Sequence, residues 1–293
     1  MKPPPFSYHR PQSISDALEM LATLDDAKLL AGGQSLMPMM NFRYVMPANV
    51  IDINRIADLA RIEETEDTLV IGAMARQRDL ELSPVVRRRC PLLYEALRNV
   101  GHVQTRNRGT IGGSLAHLDP AAELPAALHA LDATLRVQGK RGSRAVAMAN
   151  WSMGFMTPNL EPDEMLTAVV IPHWPKGHGY GFAEFARRHG DFAMAGAAAL
   201  MTLAADGTVA RLALAATGVD TGPVRLAEAE DMLRGKMPDD ATIAAAAATA
   251  SSVPGLDDVH ASKEYRRKLA VVMSRRALMT ARARASGKEA ADG

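Results

Sequence analysis

The chain has a single cysteine among its 293 residues, and this scarcity excludes two kinds of chemistry. One thiol, Cys90, cannot form an internal disulfide, and it cannot hold an iron–sulfur cluster, which typically takes four cysteines. Cys90 follows three arginines, a basic context that could lower its pKa. A helix-flanking thiol with no chemical role is the simpler interpretation. Neither a disulfide framework nor a metal cluster is therefore expected on this chain.

Charge of one sign and long apolar runs are also missing. The formal net charge is +1, so no overall field attracts nucleic acid or an acidic membrane surface. No apolar run reaches the roughly 18 residues that span a bilayer. The segment Met1–Phe6 has no apolar signal region. We therefore expect no nucleic-acid partner, no integral membrane segment and a cytoplasmic location.

The order of the predicted elements divides the chain into three parts. Alternating strand and helix patterns predict a small β-α-β lobe over residues 1–58, and a second lobe follows over 59–176. The run Pro172–Gly179, rich in proline and glycine, predicts a boundary. Beyond it, over 177–287, strands and then helices predict an antiparallel sheet backed by helices, with a hairpin turn at Asp206-Gly207. Residues 288–293 are expected to form a frayed tail.

Two glycine-rich turns are the most informative feature that is present. They are Ala31-Gly32-Gly33-Gln34-Ser35 and, 80 residues later, Thr110-Ile111-Gly112-Gly113-Ser114. Adjacent glycines allow positive φ and close approach of the backbone to a ligand. Successive N–H groups can then converge on an anion, and the serine and threonine hydroxyls can add donors. Ordinary turns are the alternative, but two such segments together indicate a diphosphate held between them.

Neither turn matches a common nucleotide motif. The chain lacks G-x-G-x-x-G after a strand and also lacks G-x-x-x-x-G-K-[ST]. A Rossmann site and a P-loop are therefore not supported, whereas a dinucleotide bound by another fold stays open.

The residues around both turns resemble a known family. The run Lys28–Pro38 resembles the first FAD loop of the flavoprotein subunits of molybdenum hydroxylases, and Thr105–His117 resembles their second FAD loop. Asp119–Pro125 continues this similarity, and Arg187–Ala193 resembles a later family signature. The resemblance covers nearly the whole chain, in order. It implies an α+β protein, with a PCMH-type FAD-binding fold of two lobes and a C-terminal domain of antiparallel sheet and helices.

The resemblance also implies a set of FAD-binding residues. Glu123 matches a family aspartate near the polar middle of the cofactor, although its side chain is one methylene longer; helix N-terminal charge is the alternative role. Phe192 matches an aromatic position against the flavin ring, and a phenylalanine of the sheet core is the alternative. Leu166 matches an apolar position near the ring, or is a plain strand residue. The remaining residues belong to the two turns: Leu29, Leu30, Ala31, Gly32, Gly33, Gln34, Ser35, Leu36, Thr110, Ile111, Gly112, Gly113 and Ser114.

The function that the resemblance implies is electron transfer through non-covalently bound FAD. Electrons would come from iron–sulfur clusters on a small partner chain and leave to an external acceptor, while a large partner chain would carry the molybdenum cofactor. A dimer of such heterotrimers is expected. This chain would contribute no catalytic residue and no metal ligand of its own. Two alternatives stay open: a stand-alone FAD-dependent oxidase or reductase of the same fold, and a nucleotide-binding assembly module without redox activity.

Overall fold

The computed structural model describes residues 1–288, and its three main sheets give the chain three parts. The first lobe contains a three-stranded parallel sheet in the order β1-β3-β2. The β2–α2–β3 connection confirms the predicted β-α-β pattern. The elements of this lobe are β1 (Ser7–His9), α1 (Ile14–Thr23), β2 (Ala27–Leu30), α2 (Leu36–Asn41) and β3 (Asn49–Asp52).

Helix α1 begins after a capping serine, Ser13. The Ser13 hydroxyl accepts a hydrogen bond from the Asp16 N–H at 3.0 Å, which satisfies one of the free N–H groups of the first turn. The helix buries Ala17 and Leu18 in a small core that includes Met74 and Met165 of the second lobe. The core of the first lobe is therefore completed by its neighbour.

The second lobe contains a five-stranded antiparallel sheet in the order β4-β5-β10-β6-β7, with helices packed on it. A small two-stranded hairpin, β8-β9, lies beside it. The elements are β4 (Ile62–Glu64), β5 (Thr68–Gly72), α3 (Gln77–Leu82), α4 (Pro84–Arg89), α5 (Pro91–Asn99), α6 (Val103–Arg108), α7 (Ile111–His117), α8 (Glu123–Ala130), β6 (Thr134–Gly139), β7 (Gly142–Ala147), β8 (Ser152–Gly154), β9 (Thr157–Pro158) and β10 (Glu164–Pro172).

The C-terminal domain contains a four-stranded antiparallel sheet in the order β11-β12-β13-β14, backed by helices as predicted. The predicted hairpin turn is confirmed: Gly207 has φ +84° between β12 and β13. The elements are β11 (Gly179–Phe185), β12 (Ala195–Leu203), β13 (Val209–Thr217), β14 (Val224–Arg225), α9 (Ala227–Leu233), α10 (Asp240–Ala248) and α11 (Lys263–Ala285).

Small residues let the C-terminal sheet lie between two helical layers. One face contributes Ala198 and Ala213 to the core of the second lobe, while the other face packs on α11. At Gly179 an added Cβ would lie 1.7 Å from the Ala281 carbonyl oxygen, and at Gly181 it would lie 2.5 Å from that of Ala277. The glycines of β11 therefore bring the backbones of the strand and the helix into direct contact.

The single cysteine is not a reactive thiol. Cys90 is buried, and burial raises its pKa to about 12, so the basic neighbours do not make it a reactive thiol. No helix within residues 1–288 is long and apolar enough to cross a membrane. The three boundaries at 1–58, 59–176 and 177–287 stay a proposal. The expected tail lies, after Lys288, outside the described residues.

Candidate functional site

The two glycine turns, far apart in sequence, meet at the junction of the first and second lobes. A Cβ added at Gly32 would lie 2.4 Å from the carbonyl oxygen of Arg108, which precedes the second turn. A Cβ added at Gly113 would lie 3.7 Å from the Cβ of Ala31. Any side chain at Gly32 would push the two segments apart, because the atom that it meets belongs to the backbone. The predicted pairing of the turns is therefore present.

The first turn connects β2 to α2 and has unused hydrogen-bond donors. Gly33 has φ +72°, a conformation that favours glycine. Within residues 1–288, the N–H groups of Gly32, Gly33, Gln34 and Ser35 donate to no protein acceptor. The Gln34 side chain is exposed and donates to the Gly32 carbonyl oxygen at 3.3 Å. Leu29 and Leu30 end β2, and Leu36 begins α2, so they support the turn. This segment can present several backbone donors to an anion.

The second glycine segment is the first turn of helix α7 rather than an open loop, which corrects the prediction. Thr110 caps the helix, and its hydroxyl oxygen accepts from the Gly113 N–H at 2.9 Å. The Gly112 N–H donates to the Ala73 carbonyl at 2.9 Å. The Ile111 and Ser114 N–H groups are likewise bonded within the protein, to Ala75 and Thr110 carbonyls. Of the predicted donors here, the hydroxyls of Thr110 and Ser114 are left for a ligand, and Thr110 is itself buried.

Close packing explains why glycines stand in this helix, where they are normally unfavourable. A Cβ at Gly112 would lie 2.5 Å from the Ala73 Cβ and 2.7 Å from its carbonyl oxygen. The sequence alone suggests a loop, because helix propensity argues against Gly-Gly. The packing of α7 against the end of β5 overrides that propensity.

A hydrogen-bonded group that the sequence did not suggest lies behind the turns. The Asn54 side-chain amide donates to the Ala31 carbonyl at 2.9 Å and to Asp52 Oδ1 at 2.5 Å. Its oxygen accepts from the Arg76 guanidinium, which also donates to the Arg108 carbonyl at 2.5 Å. Asp52 also accepts a short hydrogen bond from the Tyr8 hydroxyl. The only sequence signal for Asn54 is its place just after β3, at the end of the strand next to β2.

A buried carboxyl group lies at the start of α8, downstream of the second turn. Glu123 is only 7% exposed, and burial raises its pKa to about 7. Burial also raises the pKa of Glu184 on β11 to about 8, and the neighbouring Glu123 contributes to that rise. Asp119 does not cap α8, since the cap residue is Ala122 and the Asp119 carboxylate accepts from the Ala121 N–H instead. Sequence reasoning did not find Glu184.

The two residues predicted to lie near a flavin ring have opposite environments. Leu166 is buried in the core of the second lobe on β10, as expected of a strand residue. Phe192 is 71% exposed in the segment between β11 and β12, so it is not a phenylalanine of the sheet core. Contact of either residue with a flavin stays a prediction.

The charged and imidazole residues near the second turn serve the fold. Arg106 is buried and pairs with Glu81, Nε to Oε2 2.9 Å, so it does not face a phosphate. Arg108 contributes its carbonyl oxygen to the junction, while its side chain is exposed. His102 and His117 belong to no cluster of three or more potential metal ligands within residues 1–288.

The geometry suits an anion, such as a dinucleotide diphosphate, rather than a metal ion. Four unpaired N–H groups lie on the first turn, and two hydroxyls lie on the facing start of α7. Backbone atoms occupy the space of a Cβ at both Gly32 and Gly112, so close approach of the main chain is built into the site. A buried acid lies further along the same lobe.

Comparison with known proteins gives the same class of site. Residues 4–174 match the family described as the FAD binding domain in molybdopterin dehydrogenase. Residues 180–281 match the CO dehydrogenase flavoprotein C-terminal domain. The fold and the site thus define a flavoprotein. The chain belongs to the family of FAD-binding flavoprotein subunits of molybdenum hydroxylases.

The relatives are similar over almost their whole length. The chain is 42% identical to the 6-hydroxypseudooxynicotine dehydrogenase complex subunit alpha of Paenarthrobacter nicotinovorans, over 97% of each chain. It is 39% identical to the carbon monoxide dehydrogenase medium chain of Hydrogenophaga pseudoflava, over 97% of this chain and 99% of the relative. A solved carbon monoxide dehydrogenase from the latter organism has a TM-score of 0.95, at 40% identity, with 97% and 99% coverage. Quinoline 2-oxidoreductase from Pseudomonas putida 86 has a TM-score of 0.92, at 35% identity, with 98% and 99% coverage.

Proposed function

We propose that this chain is the FAD-containing electron-transfer subunit of a molybdenum-dependent dehydrogenase. It accepts electrons from iron–sulfur clusters on a small partner chain and passes them to an external acceptor. A large partner chain carries the molybdenum cofactor and binds the substrate. The observation that carries the proposal is the junction of the two glycine turns, where one turn has four unpaired backbone donors and the other supplies hydroxyls.

The cofactor would supply the redox chemistry, because FAD exchanges electrons both singly and in pairs. The protein residues would bind and orient it. The N–H groups of Gly32, Gly33, Gln34 and Ser35 would donate to the diphosphate, and the Thr110 hydroxyl would donate from the opposite side. Attachment is non-covalent, since none of the residues in either turn is a cysteine or a histidine.

The flavin contacts are part of the proposal. Glu123 is buried in the second lobe, where its carboxyl can hydrogen-bond the polar middle of the cofactor. Phe192 is exposed, so its ring is available to cover a flavin. Leu166 would contribute apolar surface near the ring. None of these side chains is needed as an acid or base for electron transfer.

The multi-chain assembly is supported by the surface as well as by the family. Phe42, Tyr44 and Met46, just after α2, are 61%, 80% and 60% exposed. Large apolar side chains grouped on a surface are typical of protein–protein interfaces. We propose a dimer of heterotrimers in the cytoplasm. The single unpaired thiol of this chain is consistent with that reducing compartment.

Flavin and nucleotide binding to the purified full chain tests the proposed site. FAD should bind, which the change in its flavin fluorescence reports. ADP should compete with FAD, because both place a diphosphate between the turns. FMN, which has the same ring but no diphosphate, is the matched control and should bind at least tenfold more weakly than FAD. Equal affinity for FMN and FAD would contradict the diphosphate site, and binding of ADP without FAD would favour the assembly module.

The assembly is tested by expressing the chain together with the two partner chains. Native mass measurement should give a complex of three different chains, and the acceptor should be reduced only when FAD is bound. A free monomer that oxidises an organic substrate by itself would favour the stand-alone oxidase or reductase.

A further inference from the structure

The group behind the glycine turns crosses from one lobe to the other. Asn54 follows β3 in the first lobe, and Arg76 precedes α3 in the second. Their side chains are hydrogen-bonded to each other, and each also holds a backbone carbonyl: Asn54 that of Ala31, and Arg76 that of Arg108. The first carbonyl directly precedes Gly32 in the chain, and the second faces Gly32 from the other turn. The pair therefore bridges the lobes directly behind the junction.

Every polar atom of the Asn54 side chain has a partner. Its two N–H hydrogens go to the Ala31 carbonyl and to Asp52 Oδ1, and its oxygen receives the Arg76 guanidinium. Reversal of the amide would place its oxygen against two acceptors and its nitrogen against a donor. The partners thus fix the orientation of Asn54. Asp52 is in turn held by the Tyr8 hydroxyl and by the Asn54 backbone N–H at 2.9 Å.

Peptide geometry connects Asn54 to the ligand-binding face. The Ala31 carbonyl and the Gly32 N–H belong to one planar trans peptide, so they point in opposite directions. When Asn54 holds the carbonyl on its own side, the Gly32 N–H must face away from Asn54. That N–H is one of the donors without a protein acceptor within residues 1–288. The Gln34 side chain acts similarly on the Gly32 carbonyl, at 3.3 Å, and so turns the Gly33 N–H.

We propose that Asn54 is a positioning residue that aims the Gly32 N–H at the cofactor diphosphate, and that Arg76 keeps Asn54 in place and sets the spacing of the two turns. This inference rests on the proposed function, because it assumes that a diphosphate lies at the junction. It assigns roles to two side chains that do not themselves touch the ligand.

Two substitutions separate the role of Asn54, which orients the Gly32 N–H, from that of Arg76, which connects the two turns. Asn54→Asp keeps an oxygen for Arg76 but cannot donate to the Ala31 carbonyl, and it places a second carboxylate beside Asp52. Arg76→Lys keeps the charge but cannot reach Asn54 and Arg108 with the same planar fork. Arg61→Met, which removes a 65% exposed arginine of the same region, is the control.

The measurement is binding of FAD and of ADP to the full-length apo chain, together with thermal unfolding of that chain without ligand. We expect Asn54→Asp to lower the affinities for FAD and for ADP by the same factor, at least tenfold. Arg76→Lys should lower both affinities by about threefold to tenfold. The circular dichroism of bound flavin should change in Arg76→Lys, because the spacing of the turns changes. Arg61→Met should leave both affinities within twofold.

Two outcomes would overturn the inference. One is unchanged ADP affinity in a folded Asn54→Asp chain. The other is a loss of affinity in both variants that merely follows a fall in the unfolding temperature of the apo chain. If Asn54→Asp does not fold, Arg76→Lys decides by the same two criteria. Failure of the wild-type chain to bind either FAD or ADP would instead overturn the proposed function.

Discussion

The two glycine segments share a composition but differ in what their backbones do. In the first, the donors of Gly32 and Gly33 are unpaired, and Gly33 has positive φ. In the second, the donors of Gly112 and Gly113 are bonded to Ala73 and to the cap residue Thr110. The first segment thus has free backbone donors, whereas the backbone of the second is used in packing and in capping α7. Gly-Gly-hydroxyl patterns do not distinguish these roles, because both need a backbone without side chains.

The largest effect on stability is expected from a substitution that disrupts the packing of the second segment. Gly112→Val would place its Cβ 2.5 Å from the Ala73 Cβ, deep in the second lobe. We expect the free energy of unfolding to fall by about 3 kcal/mol or more, because neither backbone can move away. Denaturant unfolding of the apo chain measures this. A stable Gly112→Val chain that had lost only FAD would show that the second segment also binds directly.

The second prediction concerns pH, and it follows from Glu123, the buried carboxyl group downstream of the second segment. Burial raises the pKa of Glu123 to about 7, so the folded apo chain holds a proton that the unfolded chain releases from about pH 4.5 upward. Its contribution to stability is therefore fully present below pH 4.5 and is lost as the pH rises through 7. Glu184 acts in the same direction.

We expect the apo wild type to lose more stability than Glu123→Gln between pH 5 and pH 8, by on the order of 1–3 kcal/mol. Denaturant unfolding at the two pH values checks the difference, and the comparison removes the contribution of every group that does not interact with Glu123; Glu184, which does, acts in the same direction. Equal losses in the two proteins would show that Glu123 ionises normally in the folded chain.

The smallest effect on folding, and the sharpest on binding, is expected in the first segment. Gly33→Ala forces a side chain into φ +72°, and Gly235→Ala, also at φ +72°, is its matched control far from the site. Both should cost about 1–2 kcal/mol of stability. Only Gly33→Ala should weaken FAD, at least tenfold, because its backbone carries a ligand donor. Similar FAD affinities would remove the binding role from the first segment.

Local patterns in the sequence were enough to predict much of this architecture. The β-α-β lobe and the hairpin at Asp206-Gly207 are confirmed, because each depends on residues close together in the chain. The meeting of the two turns was also predicted, from the Gly-Gly-hydroxyl pattern that they share. The contacts of Leu166 and Phe192 with a flavin stay predictions.

Features that depend on distant packing were missed. The helix at Gly112 requires the close approach of Ala73, and the Asn54–Arg76 pair requires two lobes to come together. The coupling of Glu123 with Glu184 arises only when the C-terminal sheet packs on α8. No local sequence pattern indicates any of these contacts, because the residues that make them are far apart in the chain.

The small shared core of the first lobe has a consequence for the life of the newly made chain. Met74 and Met165 of the second lobe pack into the interior of this lobe and complete its core. A ligand that spans both lobes adds a stabilisation that grows with the logarithm of its free concentration. The supply of flavin in the cell would then set how long an unassembled chain escapes degradation, so that cofactor loading acts as a checkpoint before the partner chains arrive.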